Sequence, residues 1–240
     1  MNAVSTTGEA TAPVQAPVLE LAERSDAQPL VAQRSASFAR RALDIFVAGG
    51  VLLVLSPVIA AVALIIRLDS GGPVVFRQQR LGRGMRPFTV FKFRTMRHNA
   101  DATPHREYVE SLIGQAEGSE RGRLYKLSVD DRVTSVGRYL RSWSLDELPQ
   151  LVNVLRGDMS LVGPRPVVPY EVDHYPESYL QRFAVKPGLT GLWQVSGRNE
   201  RTYDEMVRFD IEYAERASLL LDLQILIKTL PVVLGRQGVA

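Results

Sequence analysis

The chain has 240 residues and a mass of 26.7 kDa, with 45% hydrophobic and 23% charged residues, a globular balance that excludes wholesale disorder and allows one domain with a real core. It has no cysteine, which excludes a disulfide framework, a thiolate zinc site and a thiol nucleophile; with only His98, His105 and His174, a histidine-rich metal site is not expected. A net charge of +3 and a mean hydropathy of −0.04 resemble those of a soluble protein, but both averages mix unlike segments.

Residues 1–37 are rich in Ala, Ser, Thr, Pro and Glu and sustain no apolar period. Such a segment reads as a disordered tail, because it buries too little surface to offset its ordering entropy. It also lacks the basic start, apolar run and small-residue cleavage site of a signal peptide. The tail carries a net charge of −2, which leaves +5 on residues 38–240. Of the 29 basic residues only four are lysines, and arginine is the side chain suited to bidentate contact with phosphate.

From Ile45 to Ile66 no charge interrupts 22 residues. As a helix this stretch would be ~33 Å long, about the thickness of a hydrocarbon core. Ser56-Pro57 lies in its middle. Proline removes a helical donor and clashes with the preceding turn, and a neighbouring serine hydroxyl can satisfy the freed carbonyl. Basic residues flank both ends: Arg40 and Arg41 before, and Arg67, Arg77, Arg80, Arg83 and Arg86 after. Two basic flanks suit a helix–break–helix hairpin that enters and leaves by one face. Composition alone fits a kinked single span equally well.

Pro73–Phe76 and Pro87–Phe93 read as two short strands of a β-hairpin after the turn at Gly71-Gly72. Residues 98–131 are polar and turn-rich and read as a loop region. Helical periodicity returns at 136–140 and again from Ser144, where Leu145, Leu148, Val152 and Leu155 form a stripe closed by Gly157. Residues 201–216 form an amphipathic helix with Met206, Phe209 and Tyr213 on one face. Residues 217–235 are strongly apolar, are interrupted by Asp222, Gln224 and Lys228, and are stopped by Pro231. That pattern suits a helix lying on a membrane surface or packed on the core.

Three stretches carry side chains with chemical potential. Asp146 and Glu147 are adjacent carboxylates at a helix start. On spacing alone, Ser144 and Glu147 form a capping box, the simpler reading. The catalytic reading is an Asp146 held ionised as a nucleophile, with Glu147 as a hard oxygen ligand for a divalent cation. Pro164-Arg165-Pro166 holds a guanidinium on a stiff backbone, suited to phosphate or a nucleobase edge, or simply a rigid solvated loop. Residues 186–199 combine glycines, Trp193 and Arg198, as a ligand loop or as a turn-rich loop around one buried tryptophan. Asp210 is an isolated acid, read as solvated unless it serves a metal or substrate.

Taken together, Ser56-Pro57, FKFRTM (91–96), SLDELPQLVNVLRGDMSLVGPRP (144–166), KPGLTGLWQVSGRN (186–199) and LLDLQILIKT (220–229) strongly resemble the bacterial sugar transferase family, the monotopic polyprenyl-phosphate sugar-1-phosphate transferases. The resemblance covers roughly residues 38–236 and implies a minimal catalytic form. It implies a helix-rich α+β, membrane-associated fold with a re-entrant helix–break–helix at 38–70, a catalytic domain at 71–240 with interfacial amphipathic helices and a small β-hairpin, and Ser56-Pro57 as the break. It implies transfer of a sugar 1-phosphate from a UDP-sugar to polyprenyl (undecaprenyl) phosphate with release of UMP, as the first membrane step of exopolysaccharide or related glycan synthesis. By resemblance Asp146 is the nucleophile of an Asp-Glu dyad and forms an aspartyl phosphosugar. Glu147 and, less directly, Asp210 are metal candidates for Mg²⁺. Lys92, Arg94, Arg141 and Arg198 are substrate cations, and Pro164, Arg165 and Pro166 form a nucleotide loop. The implied partners are membrane phospholipid and downstream glycosyltransferases, not nucleic acid. The implied location is the bacterial inner membrane, facing the cytoplasm. The segment around WQVSGRN leans towards glucose or galactose, with N-acetylated sugars open. The rival reading is a non-catalytic, membrane-anchored scaffold or anionic-lipid-binding protein.

Overall fold

The computed structural model describes residues 34–97, 132–197 and 201–235. The loop read at 98–131 and the candidate Arg198 lie outside the described residues. The uncharged stretch forms two helices, α1 (Arg34–Val54) and α2 (Ser56–Ser70), bent by 62° at Leu55. Helix α1 therefore starts inside the segment read as tail. Pro57 cannot supply the N–H that the Leu53 carbonyl would receive in an unbroken helix. The Ser56 hydroxyl donates to that carbonyl instead, at 2.8 Å. No single helix among the described residues is long and apolar enough to cross a membrane; the bent pair meets that test only together.

The base of the bent pair is tied to the rest of the chain by polar contacts. Asp44, buried within α1, accepts from Ser160 Oγ at 3.0 Å and Leu161 N at 2.8 Å. Arg41 donates to the carbonyls of Val154 and Leu155, each at 2.6 Å. Val62 and Ile66 of α2 pack with Phe93 and Leu140. Away from these contacts the helices leave large apolar side chains exposed, among them Phe46 at 80%, Leu53 at 77% and Leu68 at 76%.

Strands β1 (Val75–Leu81) and β2 (Pro87–Phe93) pair antiparallel, with Val75 opposite Phe93 and Leu81 opposite Pro87. The first strand continues well beyond the expected Phe76, because its ladder runs to the tight turn at 82–86. Helix α3 (Ser135–Ser142) is capped by Thr134, whose side chain accepts from Gly137 N. Helix α4 (Gln150–Arg156) ends, as its sequence predicts, at a left-handed Gly157. Two short strands unseen in the sequence, β3 (Ser160–Val162) and β4 (Gly188–Thr190), pair in parallel. Between them lie α5 (Pro169–Val172) and a 3-10 segment at Glu177–Ala184.

Helix α6 (Tyr203–Arg216) buries Met206 and Tyr213, leaves Phe209 half-buried, and carries a true capping box between Thr202 and Glu205. Helix α7 (Leu219–Leu234) runs through Pro231 rather than stopping there, and exposes Leu220, Ile227, Leu230 and Leu234. The main core joins Ala48 of α1, Val90 of β2, Leu151 and Val154 of α4, Tyr213 of α6 and Ile225 of α7. The fold is a helix-rich α+β arrangement with a small antiparallel hairpin.

Candidate functional site

The chain between α3 and α4 carries Asp146 and Glu147, and it does not form the capping box its spacing suggests. Ser144 sits at φ 54°, ψ 20°, and its side chain makes no cap hydrogen bond. A non-glycine residue in this left-handed region is uncommon and strained. Leu145–Glu147 form a single 3-10 turn that continues through Leu148 and Pro149 into α4. Pro149 fits the opening of a helix because its missing N–H is not needed there. Both carboxylates are half-buried in that opening turn, where backbone amides favour anions.

Strand β2 and its continuation bring cations alongside. Lys92 Nζ donates to Glu147 Oε1 at 2.9 Å, with the two side chains 27% and 37% exposed. Arg141, in the last turn of α3, donates from Nε to Thr95 Oγ1 at 2.9 Å. The approach of α3 to this segment depends on Gly137: a Cβ there would stand 2.0 Å from the Thr95 carbonyl oxygen. Arg97 N donates to Arg132 O, which extends the contact. Arg94, a substrate cation by resemblance, sits at the junction of β2 and the end of α2. It is buried, and Nη2 donates to Ser70 Oγ at 2.9 Å and to the Gly71 carbonyl, tying β2 to the end of α2. Its Nε and Nη1 have no hydrogen-bond partner among the described residues.

The Pro164-Arg165-Pro166 loop lies between β3 and α5, with the Arg165 side chain exposed. Its backbone is held from several sides. Gly188 N donates to Pro164 O at 2.8 Å, and Leu81 N donates to Val167 O at 2.9 Å. Arg80 Nη1 donates to Pro166 O at 3.0 Å. Burial lowers the Arg80 pKa to about 10, helped by the nearby Arg165 charge and opposed by Glu171, Tyr170 and Glu147. Arg80 stays cationic at neutral pH, and it feels both Arg165 and Glu147.

The remaining candidates resolve less simply. Trp193 is buried against Tyr203, Met206 and Val207, so it is a core side chain and not an open face. The backbone around residues 163 and 188 is so close that a Cβ on Gly188 would stand 2.0 Å from Gly163 N. The glycine there serves chain packing. Asp210 is not solvated: it is 1% exposed and paired with the equally buried Arg182. That pairing leaves it poorly disposed to hold a metal.

Several buried polar residues had no signal in the sequence. Arg80, Glu171, Tyr175, Arg182 and Tyr203 form one network with Asp210: Tyr203 Oη donates to Glu171 Oε2 at 2.7 Å, Arg182 Nη1 donates to Tyr175 Oη at 2.9 Å, and the two tyrosine hydroxyls bond to each other. Arg80 Nη1 lies 3.8 Å from Glu171 Oε1.

Residues 35–236 match the family model described as "Bacterial sugar transferase". The chain belongs to the bacterial sugar transferase family. Among curated members, it is 43% identical over 208 residues to an undecaprenyl-phosphate galactose phosphotransferase of Salmonella typhimurium, covering 87% of this chain and 43% of that protein. It is 41% identical over 202 residues to exopolysaccharide production protein ExoY of Rhizobium meliloti, covering 83% and 87% of the two chains. It is 43% identical over 204 residues to a UDP-glucose:undecaprenyl-phosphate glucose-1-phosphate transferase of Caulobacter vibrioides, covering 81% and 69%. The chain thus spans less than half the length of the Salmonella sugar transferase and most of ExoY.

No group of three or more His, Asp or Glu side chains is placed to hold a metal among the described residues. Mg²⁺ is commonly held by one or two carboxylates, with waters and substrate phosphates completing its shell. Asp146 and Glu147 are carboxylates of that donor type, half-exposed unlike Asp210, although Lys92 already sits on Glu147 Oε1.

Proposed function

We propose that this sugar transferase moves a sugar 1-phosphate from a UDP-sugar to polyprenyl phosphate and releases UMP, at the cytoplasmic face of the bacterial inner membrane. The observation that carries this reading is the half-buried Asp146-Glu147 pair, with Lys92 on Glu147 and Arg141 anchored to Thr95 nearby. A carboxylate nucleophile held among cations is what phosphoryl transfer requires, since most of its catalysis is positioning and charge neutralisation.

In the first step an Asp146 carboxylate oxygen attacks the phosphorus that bears the sugar. The bond from that phosphorus to the UMP phosphate oxygen breaks, and UMP leaves with the electron pair. In the second step a phosphate oxygen of polyprenyl phosphate attacks the aspartyl phosphosugar. The Asp146–phosphorus bond breaks, and a polyprenyl diphosphate sugar departs. Lys92 and Arg141 would lie on the diphosphate, with Glu147 steering the Lys92 ammonium. Arg165 would contact the nucleotide. Mg²⁺ held by Glu147 would neutralise diphosphate charge.

The membrane placement is supported by the exposed apolar side chains on α1, α2 and α7 and by the 62° bend. Exposed large apolar side chains of this kind are unfavourable in water and favoured in lipid. In this reading residues 38–70 are a re-entrant hairpin in one leaflet, and residues 71–240 form the catalytic domain. The names of the relatives contain galactose and glucose, which supports a hexose donor.

The test is UMP release by the purified chain in lipid nanodiscs, with Mg²⁺, polyprenyl phosphate and a panel of UDP-sugars. Release from at least one UDP-hexose is the expected result. No release from any of them would favour a membrane-anchored scaffold.

A further inference from the structure

The Pro164-Arg165-Pro166 loop has an unusual hydrogen-bond problem. Two of its three residues have no N–H, so it offers carbonyls and almost no donors. Buried carbonyls without donors are costly. The four successive carbonyls from Pro164 to Val167 are each met by a donor from elsewhere. Gly188 N and Leu81 N serve the outer two, and the Arg182 and Arg80 guanidiniums serve the inner two. Arg182 Nη2 reaches Arg165 O at 3.3 Å, and Arg80 Nη1 reaches Pro166 O at 3.0 Å. Both arginine side chains are nearly inaccessible, at 1% and 7% exposed.

Arg182 does not act alone. Its Nη2 also donates to Asp210 Oδ2, so one guanidinium nitrogen bridges Asp210 and the Arg165 carbonyl. Asp210 therefore fixes the guanidinium that holds the Arg165 carbonyl. Arg165 itself sends its side chain to solvent. With the buried Arg80 cation bonded to the carbonyl of the next residue, Pro166, that guanidinium favours an anionic ligand.

We propose that Arg182, with Asp210 and Arg80, is a positioning residue that fixes the Arg165 backbone so that its guanidinium is presented to the nucleotide half of the donor. The inference rests on the reading of residues 164–166 as the nucleotide-contacting loop. Arg182 touches no substrate and acts only through Arg165. A flexible loop would have to be ordered at each binding event, which weakens nucleotide affinity and leaves the phosphoryl transfer itself nearly unchanged.

The experiment uses the full chain in nanodiscs, with the UDP-sugar that the wild type turns over. Arg182→Lys keeps a cation beside Asp210 but cannot reach both acceptors with planar geometry. The expected result is about a tenfold rise in the UDP-sugar KM, with kcat within about threefold and the polyprenyl phosphate KM unchanged. In an Arg165→Ala background the same substitution should produce no further rise. An equal rise in both backgrounds, or a fall in kcat alone, would overturn the proposal. Hydrogen exchange provides a readout that needs no turnover: the amides of Gly163, Arg165, Val167 and Val168 should exchange faster in Arg182→Lys, and unchanged exchange would count against it. If Arg182→Lys does not fold, Arg80→Lys is held to the same outcomes. A wild type that releases no UMP, combined with faster exchange in the variant, sinks the functional reading and leaves the positioning role standing.

Discussion

Lys92 Nζ lies 2.9 Å from Glu147 Oε1, across a gap of 55 residues in sequence. The contact joins the β-hairpin to the turn that carries the carboxylate pair. A half-exposed ion pair of this kind contributes little stability, about 0.2–1 kcal/mol. Its value in the account is to aim an ammonium at substrate phosphate. Lys92→Ala should therefore lower kcat/KM for UMP release by about 100-fold or more while shifting Tm by only a few degrees. A large loss of Tm with kcat/KM preserved would show that the pair is structural.

Asp210 and Arg182 make the opposite case. Both are 1% exposed, so removing Asp210 leaves the buried Arg182 charge without its bonded carboxylate. Asp210→Asn should cost about 3–5 kcal/mol of stability, read as a marked fall in Tm. The double change Arg182→Met with Asp210→Leu should recover part of that loss. A fully stable Asp210→Asn protein would contradict the buried pair.

Gly137 is a packing requirement. A Cβ at this position would meet the Thr95 carbonyl oxygen at 2.0 Å, whereas a Cβ on Gly49 meets nothing within 4 Å. Gly137→Ala should destabilise by about 1–3 kcal/mol and reduce activity by shifting α3, and with it Arg141. Gly49→Ala should do neither. Thermal unfolding of the two variants side by side is the check.

The Ser56 hydroxyl on the Leu53 carbonyl stands in for the hydrogen bond that Pro57 cannot make. Replacing both residues with alanine should restore the helical ladder and straighten the bend. The chain has no cysteine, so single cysteines introduced at Ser37 and Ser70 report location cleanly. In the wild-type background an impermeant thiol reagent should label both from the same face of intact inner-membrane vesicles. In the Ser56→Ala, Pro57→Ala background it should label only one. Labelling from opposite faces in the wild-type background would contradict the re-entrant reading.

Local chemistry determined what the sequence could reveal. The break at Ser56-Pro57, the second hairpin strand and the Gly157 cap each follow from a few adjacent residues. The capping box at Ser144 matched a motif, but the left-handed backbone at Ser144 and the proline at 149 moved the helix start to Gln150. Strands β3 and β4 are three residues each, too short for a period to show. The Arg182–Asp210 pair joins residues 28 positions apart on different elements, and nothing local to either marks the other. Trp193 was ambiguous in the sequence because a buried and a ligand-facing tryptophan look alike there; packing against Tyr203 and Met206 decides it.

The central claim is that Asp146 becomes covalently phosphorylated with the sugar. It is tested most directly by incubating the nanodisc-embedded chain with a UDP-sugar labelled in the sugar, without polyprenyl phosphate, and weighing the intact protein. The expected result is an added mass of one sugar phosphate on the wild type, located at Asp146 by fragmentation, discharged by polyprenyl phosphate and absent from Asp146→Asn. An adduct that persists in Asp146→Asn, or turnover retained by that variant, would contradict it.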